Sequence, residues 1–316
     1  MIAIITENFL GAWRPGDIES MVGGSQECVV LLAEALVRGG YIVDVFLHGP
    51  TPAKTESRWG VTYRDFSKWE FSYDTVILFK INPLPRDERL RDVNVIFWSS
   101  DVQKSVPGNN EYVKKRVCLT EYHKDRNEWK DAFVIPHGVD FSNLHSSEIK
   151  RENSMLYSSS PDRGLLTLME NWTKIKEKFP DMKLYVTYGF KIAKQISGRI
   201  SLSSETQIKT TCDMLDINYL GDVPREQFEK LYKKCKYWVL PLNNADSELF
   251  CLNAVKSQYC GCIPVVYKIG ALKETVGKYI DFDSFVQGNL ETIKDTNIIP
   301  TFSWDEIVEK FWISII

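Results

Sequence analysis

Residues 237–266 read YWVLPLNNADSELFCLNAVKSQYCGCIPVV. The opening YWVL is apolar on both faces, as a strand covered on both sides must be. A polar loop follows, Asn243-Asn244-Ala245-Asp246-Ser247-Glu248-Leu249-Phe250-Cys251, then a helix predicted over Leu252–Tyr259 and a second buried strand over 263–267. Strand, helix and strand in so short a span make a crossover that sets the two strands parallel in one sheet.

The same alternation extends in both directions. Towards the amino terminus lie a short strand at 155–157 and the turn Ser160-Pro161-Asp162-Arg163-Gly164, in which Ser160 suits a helix cap and Pro161 a first helical position. The helix it opens carries Leu165, Leu168, Met169, Trp172, Ile175 and Phe179 on one face and stops at Pro180. A strand at 183–188 and a helix at 227–236, with Phe228, Leu231, Tyr232 and Cys235 on its apolar face, complete the set. An independent series occupies the first half. Strands are predicted at 2–5, 41–47, Thr75–Phe79, Asn94–Trp98, 116–119 and 133–135, with a helix after Gly23-Gly24-Ser25 whose apolar face is Cys28, Val29, Leu32, Ala33, Leu36 and Val37. The polar stretch 141–153 separates the two series as a linker. The expected fold is therefore α/β, with two facing Rossmann-like, doubly wound domains at 1–145 and 146–302. A terminal helix at 303–316 starts with the capping box Ser303-Trp304-Asp305-Glu306. Its apolar face, Trp304, Ile307, Val308, Phe311, Trp312 and Ile315, must bury, either on its own domain or back on the first.

Composition narrows the function. With 316 residues, 44% hydrophobic and 26% charged, the chain is a globular protein and not a disordered one. A net charge of -3 gives no global basic footprint for nucleic acid. No apolar stretch is long enough to cross a bilayer, and the basic helix around Lys230 reads as a solvated face, so no stable membrane insertion is expected. Seven cysteines without a CxxC pair, and a start with no basic leader, indicate reduced thiols and a cytoplasmic protein.

The familiar fingerprints GxGxxG, GxxxxGK[ST], GxSxG and HExxH do not occur. His48, His123, His137 and His145 are not at metal-ligand spacing, and Asp281-Phe282-Asp283 reads as a solvated turn. Asn171-Trp172-Thr173, a glycosylation sequon, falls inside an amphipathic helix. Three features remain. Gly23-Gly24 at a helix entrance is either a plain turn pair or a close approach of backbone to an anion. Ser158-Ser159-Ser160-Pro161-Asp162-Arg163-Gly164 lies between a strand and a helix, where open α/β sheets bind ligands, and Arg163 offers planar pairing to phosphate. Glu248, in the loop after 237–240, is a carboxylate able to accept hydrogen bonds from sugar hydroxyls, or a solvated acid near a helix start.

Taken in order, these segments resemble the retaining GT-B glycosyltransferases of family 4, within the glycosyl transferases group 1. Gly23-Gly24-Ser25 with its helix, Ile135-Pro136-His137-Gly138-Val139-Asp140, Ser159 to Leu165, Tyr219 to Val223 and Pro264 to Val276 carry the likeness over nearly the whole chain. The resemblance implies a deep cleft between the domains, with a nucleotide-sugar donor mostly on the second and a carbohydrate or other hydroxyl acceptor approaching from the first. It implies donor contacts from Gly23, Gly24, Ser159, Ser160, Arg163, Glu248, Lys256 and the backbone of Leu249, Phe250 and Cys251. Glu248, as the first acid of an E-x7-E motif, would hold the sugar, Arg163 would neutralise the diphosphate, and Asp101 would add a polar contact. No metal or other cofactor is implied.

Two positions depart from that pattern. Lys256 stands where the second acid of E-x7-E accepts the ribose hydroxyls, and lysine has only donors. Ser100, in Phe97-Trp98-Ser99-Ser100-Asp101, stands where relatives carry a histidine near the reacting centre. Loss of both keeps open a catalytically retired module that binds a glycan or a protein.

Overall fold

A computed structural model describes residues 1–7, 14–19, 23–48, 56–69, 72–80, 88–103, 111–142, 144, 150–188, 190, 202–294 and 301–316. The chain divides into two compact units. One comprises Met1–Ile18, Val22–Asp140 and Phe302–Ile316, and the other is mainly Phe141–Thr301, so the polar stretch 141–153 lies within the second unit.

The first unit is built on β1 (Ile2–Glu7), β2 (Val43–His48), β3 (Glu56–Arg58), β4 (Val61–Asp65), β5 (Thr75–Phe79), β6 (Asn94–Trp98), β7 (Val113–Cys118) and β8 (Phe133–Val134). Their order is β3-β4-β2-β1-β5-β6-β7-β8, parallel throughout except for β3 against β4. Strands β1 and β5 are buried along their described apolar residues, which is why they sit at the centre. The hairpin β3–β4 was not anticipated from the sequence. Its turn places Trp59 at φ 51° and Gly60 at φ 85°, both left-handed as a two-residue hairpin loop demands, but with tryptophan where asparagine is usual. Helix α1 (Gly24–Arg38) buries Cys28 to Leu36, and α2 (Glu121–Asn127) is capped by Thr120, whose hydroxyl accepts from the His123 amide.

The carboxyl-terminal segment completes this first unit. Ser303 and Glu306 form the expected capping box at the start of a helix over Trp304–Lys310. Trp98 packs edge-on against Trp304 and Trp312, with ring centroids 6.3 and 5.5 Å away. A Cβ on Gly138 would lie 2.7 Å from Trp304 backbone and ring, so only glycine admits the helix. The Val139 amide donates to Phe302 O at 2.9 Å. At the far end Asn94 Nδ2 and Lys115 Nζ donate to Ile315 O at 2.8 and 2.7 Å. Of the two burial sites open to this helix, the first unit is the one used.

The second unit has β9 (Glu152–Tyr157), β10 (Lys183–Val186), β11 (Asn218–Tyr219), β12 (Cys235–Leu240), β13 (Ile263–Val266) and β14 (Ile280–Asp281). The order β11-β10-β9-β12-β13-β14, all parallel, reverses direction between β9 and β12. This is the doubly wound arrangement whose ligand crevice lies outside the carboxyl ends of the two strands flanking the reversal. Helix α3 (Leu165–Lys178) follows β9, α4 is Leu202–Met214, α5 (Arg225–Lys234) precedes β12 and α6 (Leu252–Tyr259) joins β12 to β13. The helix expected at 227–236 thus begins and ends two residues earlier, because Cys235 already pairs with Glu152 in the sheet. Asp281-Phe282-Asp283 is not a solvated turn. Asp281 closes β14 and caps the next helix by accepting from the Ser284 amide at 3.0 Å, while Phe282 is buried. The sequon tryptophan, Trp172, is likewise a core side chain.

Candidate functional site

The two loops that leave β9 and β12 meet at the strand-order reversal. After β9 the chain turns through 158–164 and enters α3 at Leu165, with Gly164 as the cap at φ 98°. Ser160 is therefore not the cap, nor Pro161 the first helical residue, and Arg163 stands ahead of the helix rather than on its first turn. Gly164 explains the delay: a Cβ there would overlap the Pro241 carbonyl oxygen and lie 2.7 Å from its carbon. Only a residue without a side chain lets the β9 turn rest on the backbone that follows β12. Gly270 does the same from the other side, since its Cβ would meet Ala245 O at 2.7 Å.

A buried polar network holds the β9 turn. Trp238 Nε1 donates to Ser158 Oγ at 2.9 Å, Asn253 donates to Ser158 O, and Tyr232 OH donates to Asn253 Oδ1 at 2.8 Å. Tyr157 OH donates to Ser160 O at 2.6 Å. Tyr157, Tyr232, Trp238 and Asn253 were not singled out in the sequence, where the first three read as apolar core. A tyrosine or tryptophan buried next to a serine-rich turn is the only signal they leave, since each needs a polar partner.

Arg163 and Glu248 come together across the reversal. Arg163 Nη1 donates to Glu248 Oε2 at 2.7 Å, with the arginine side chain 33% and the glutamate side chain 12% exposed. Burial pushes the Glu248 carboxyl above its usual range, opposed by the Arg163 charge, the Phe250 amide, the Cys251 thiol and the Leu249 amide. Glu248 in turn holds the Arg163 guanidinium still more firmly protonated, against the effect of burial. Leu249, Phe250 and Cys251 are buried, Cys251 capping α6, and Lys256 sits half-buried in the body of that helix. Ser159 is buried and Ser160, half-buried, donates its hydroxyl to Asp162. The amides of Leu249 and Phe250 thus serve the adjacent carboxylate in this structure.

The remaining expected residues belong to the first unit. Gly23 caps α1 with φ -65° and Gly24 is its first residue; that dihedral is open to any amino acid, so backbone conformation is not what calls for glycine at Gly23. Asp101 follows β6 with an exposed side chain, but its carbonyl is held. His123 Nδ1 accepts from the Leu119 amide at 3.2 Å, leaving Nε2–H to donate to Asp101 O at 3.0 Å. Asn127 Oδ1 accepts from the Gln103 amide at 2.6 Å. The sequence offered no reason to connect His123 and Asn127, both on α2, with the stretch Asp101–Gln103, because β7 intervenes. Ser100 Oγ is buried without a hydrogen-bond partner. Among the described residues no group of three or more histidine, cysteine or acidic side chains is placed to hold a metal ion, and no helix is long and apolar enough to cross a membrane.

The family model described as "Glycosyl transferases group 1" matches residues 147–311, more than half of the chain. The chain belongs to this family. No curated protein matches it in sequence. Solved glycosyltransferases share the fold of this group 1 chain at low identity. AviGT4, a glycosyltransferase involved in avilamycin A biosynthesis, is similar with a TM-score of 0.68 and 15% identity, over 100% of this chain and 97% of that one. The Anabaena protein HepE, solved with UDP and glucose, gives 0.58 and 12%, over 98% and 89%. The catalytic domain of Arabidopsis thaliana starch synthase IV, bound to ADP and acarbose, gives 0.61 and 12%, over 99% and 91%. The group 1 chain is thus an α/β protein with Rossmann-like units of GT-B type.

Proposed function

We propose that the protein is a retaining, metal-independent GT-B glycosyltransferase of family 4 that moves a hexose from a nucleoside-diphosphate sugar to a glycan or other hydroxyl acceptor in the cytoplasm. The observation that carries this reading is the Arg163–Glu248 pair at the strand-order reversal, a permanent cation and a carboxylate 2.7 Å apart in a partly buried crevice. Departure of a nucleoside diphosphate builds negative charge on a phosphate oxygen, and a guanidinium paired with that oxygen lowers the barrier. Glu248 orients the sugar by accepting from its hydroxyls. Retention needs no carboxylate nucleophile if the departing phosphate takes the acceptor proton, unlike a retaining glycosidase. GDP-mannose and UDP-hexoses are the donors tested first. UDP and ADP in the solved neighbours support a nucleotide donor without choosing the base.

Thermal unfolding in the presence of UDP, GDP, ADP and CMP and their common sugars tests the reading. A sugar nucleotide at about a hundred times its dissociation constant adds roughly 2.7 kcal/mol of stability. One series raises the midpoint, and its donor loses affinity in Arg163→Ala and in Glu248→Ala. Anomeric configuration of the product, read by NMR, then tests retention. Silence with every nucleotide removes the reading. Lys256 and the unpartnered Ser100 hydroxyl would then favour a retired, glycan-binding module.

A further inference from the structure

A carboxylate has two oxygens and about four lone-pair directions. At Glu248 one oxygen, Oε2, accepts from Arg163 Nη1 at 2.7 Å, and the Phe250 and Leu249 amides and the Cys251 thiol, which follow it in sequence, oppose the rise in its pKa. The direction towards the β9 turn is therefore taken by the guanidinium, and a sugar hydroxyl that approaches from that side must displace it. The Leu249 and Phe250 amides belong to the backbone that follows Glu248 and cannot leave without remaking the loop, while the Cys251 thiol needs only to turn about its own side-chain bond. Arg163 reaches over from the β9 turn on a long side chain that is one-third exposed.

We infer that Arg163 is a placeholder: it occupies Glu248 while the crevice is empty, and a diphosphate draws the guanidinium away and so opens that carboxylate to a hydroxyl of the attached sugar. The inference rests on the sugar-nucleotide reading above and adds a consequence to it. A bare diphosphate breaks the ion pair and leaves Glu248 with an unfilled direction in a partly buried place, whereas a diphosphate carrying its sugar satisfies both groups. The two halves of the donor bind with positive coupling, which is reciprocal by linkage. Removing the carboxylate charge releases Arg163 beforehand. A bare diphosphate then binds more tightly, the reverse of what a simple contact residue would do on mutation.

The probe is inorganic pyrophosphate, with UDP and GDP beside it, titrated calorimetrically into the wild-type protein, Glu248→Gln, Glu248→Ala, Arg163→Ala and Asp162→Asn, each shown to be folded by circular dichroism. Pyrophosphate binds the two Glu248 variants roughly ten-fold more tightly than wild type, a coupling of ordinary size, and Arg163→Ala only feebly. Asp162→Asn removes a negative charge beside Arg163 without releasing it and changes affinity less. Unchanged or weaker binding in a folded Glu248 variant, or an equal gain in Asp162→Asn, overturns the placeholder and leaves the functional reading standing. Failure of every nucleotide and of pyrophosphate to bind wild type overturns both. A second readout does not depend on the Glu248 variants. The Arg163 Nε–H resonance, assigned through Arg163→Lys, shifts when pyrophosphate is added to wild type, and a resonance that stays in place while pyrophosphate binds refutes the exchange.

Discussion

Gly164 and His137 show how single residues carry more than their sequence context announces. Gly164 combines a left-handed backbone with contact against Pro241. Gly164→Ala adds strain and a clash at once, and a loss of about 3–5 kcal/mol is expected, read as a lower urea midpoint at unchanged slope. His137 is 6% exposed, its ring 5.5 Å from Trp98 and 5.9 Å from Trp304. Burial, then the nearby Lys80 charge and His123, hold its pKa down at about 3. A base whose folded pKa is depressed contributes stability that is fully present above its unfolded value of about 6.5 and is lost as pH falls below it. Unfolding free energy therefore drops between about pH 6.5 and 3, by at most about 1.4 kcal/mol per pH unit from this residue, and thermal midpoints fall with it. His137→Asn, which cannot titrate, flattens that limb. The candidacies of Arg163 and Glu248 were readable from residue type and loop position, but their pairing was not, since 85 positions separate them.

At the level of elements, apolar runs and helical spacing were enough to find most strands and long helices, because burial on both faces leaves an unmistakable composition. The misses have physical causes. The hairpin Glu56–Arg58 with Val61–Asp65 is short and polar, and Arg58 is fixed instead by a 2.7 Å ion pair to the buried Glu34 of α1. The start of α3 moved to Leu165 because the preceding turn is shaped by its contact with the β12 loop, overriding the cap propensity of Ser160. The terminal helix was legible from its capping box, but its partner was not. The helix ends at Lys310, short of the expected 316, and Trp312, in the 3-10 turn after it, is fully buried, so Trp312→Ala is expected to cost about 3–5 kcal/mol. Ser303→Ala, which removes only the cap, costs about 1 kcal/mol. Chemical denaturation of the two variants checks the ranking.

Over the whole chain, residues 302–316 return to the unit begun by residue 1. Deleting them uncovers Trp98 and strips Asn94 and Lys115 of the Ile315 carbonyl. Hydrogen exchange should then accelerate in Thr75–Phe79, Asn94–Trp98 and Val113–Cys118 and remain unchanged in Glu152–Tyr157 and Cys235–Leu240. Equal acceleration in both sheets would contradict the assignment. The local pattern of this sequence determined two series of buried parallel strands, the helices between them and the loops that hold charged residues, because periodicity and burial act over a few residues at a time. Contacts distant in sequence settled the rest: which unit receives the terminal helix, why the β9 turn needs glycine, and which cation meets Glu248. Those depend on backbone approaches and ion pairs between segments scores of residues apart, which no local pattern encodes.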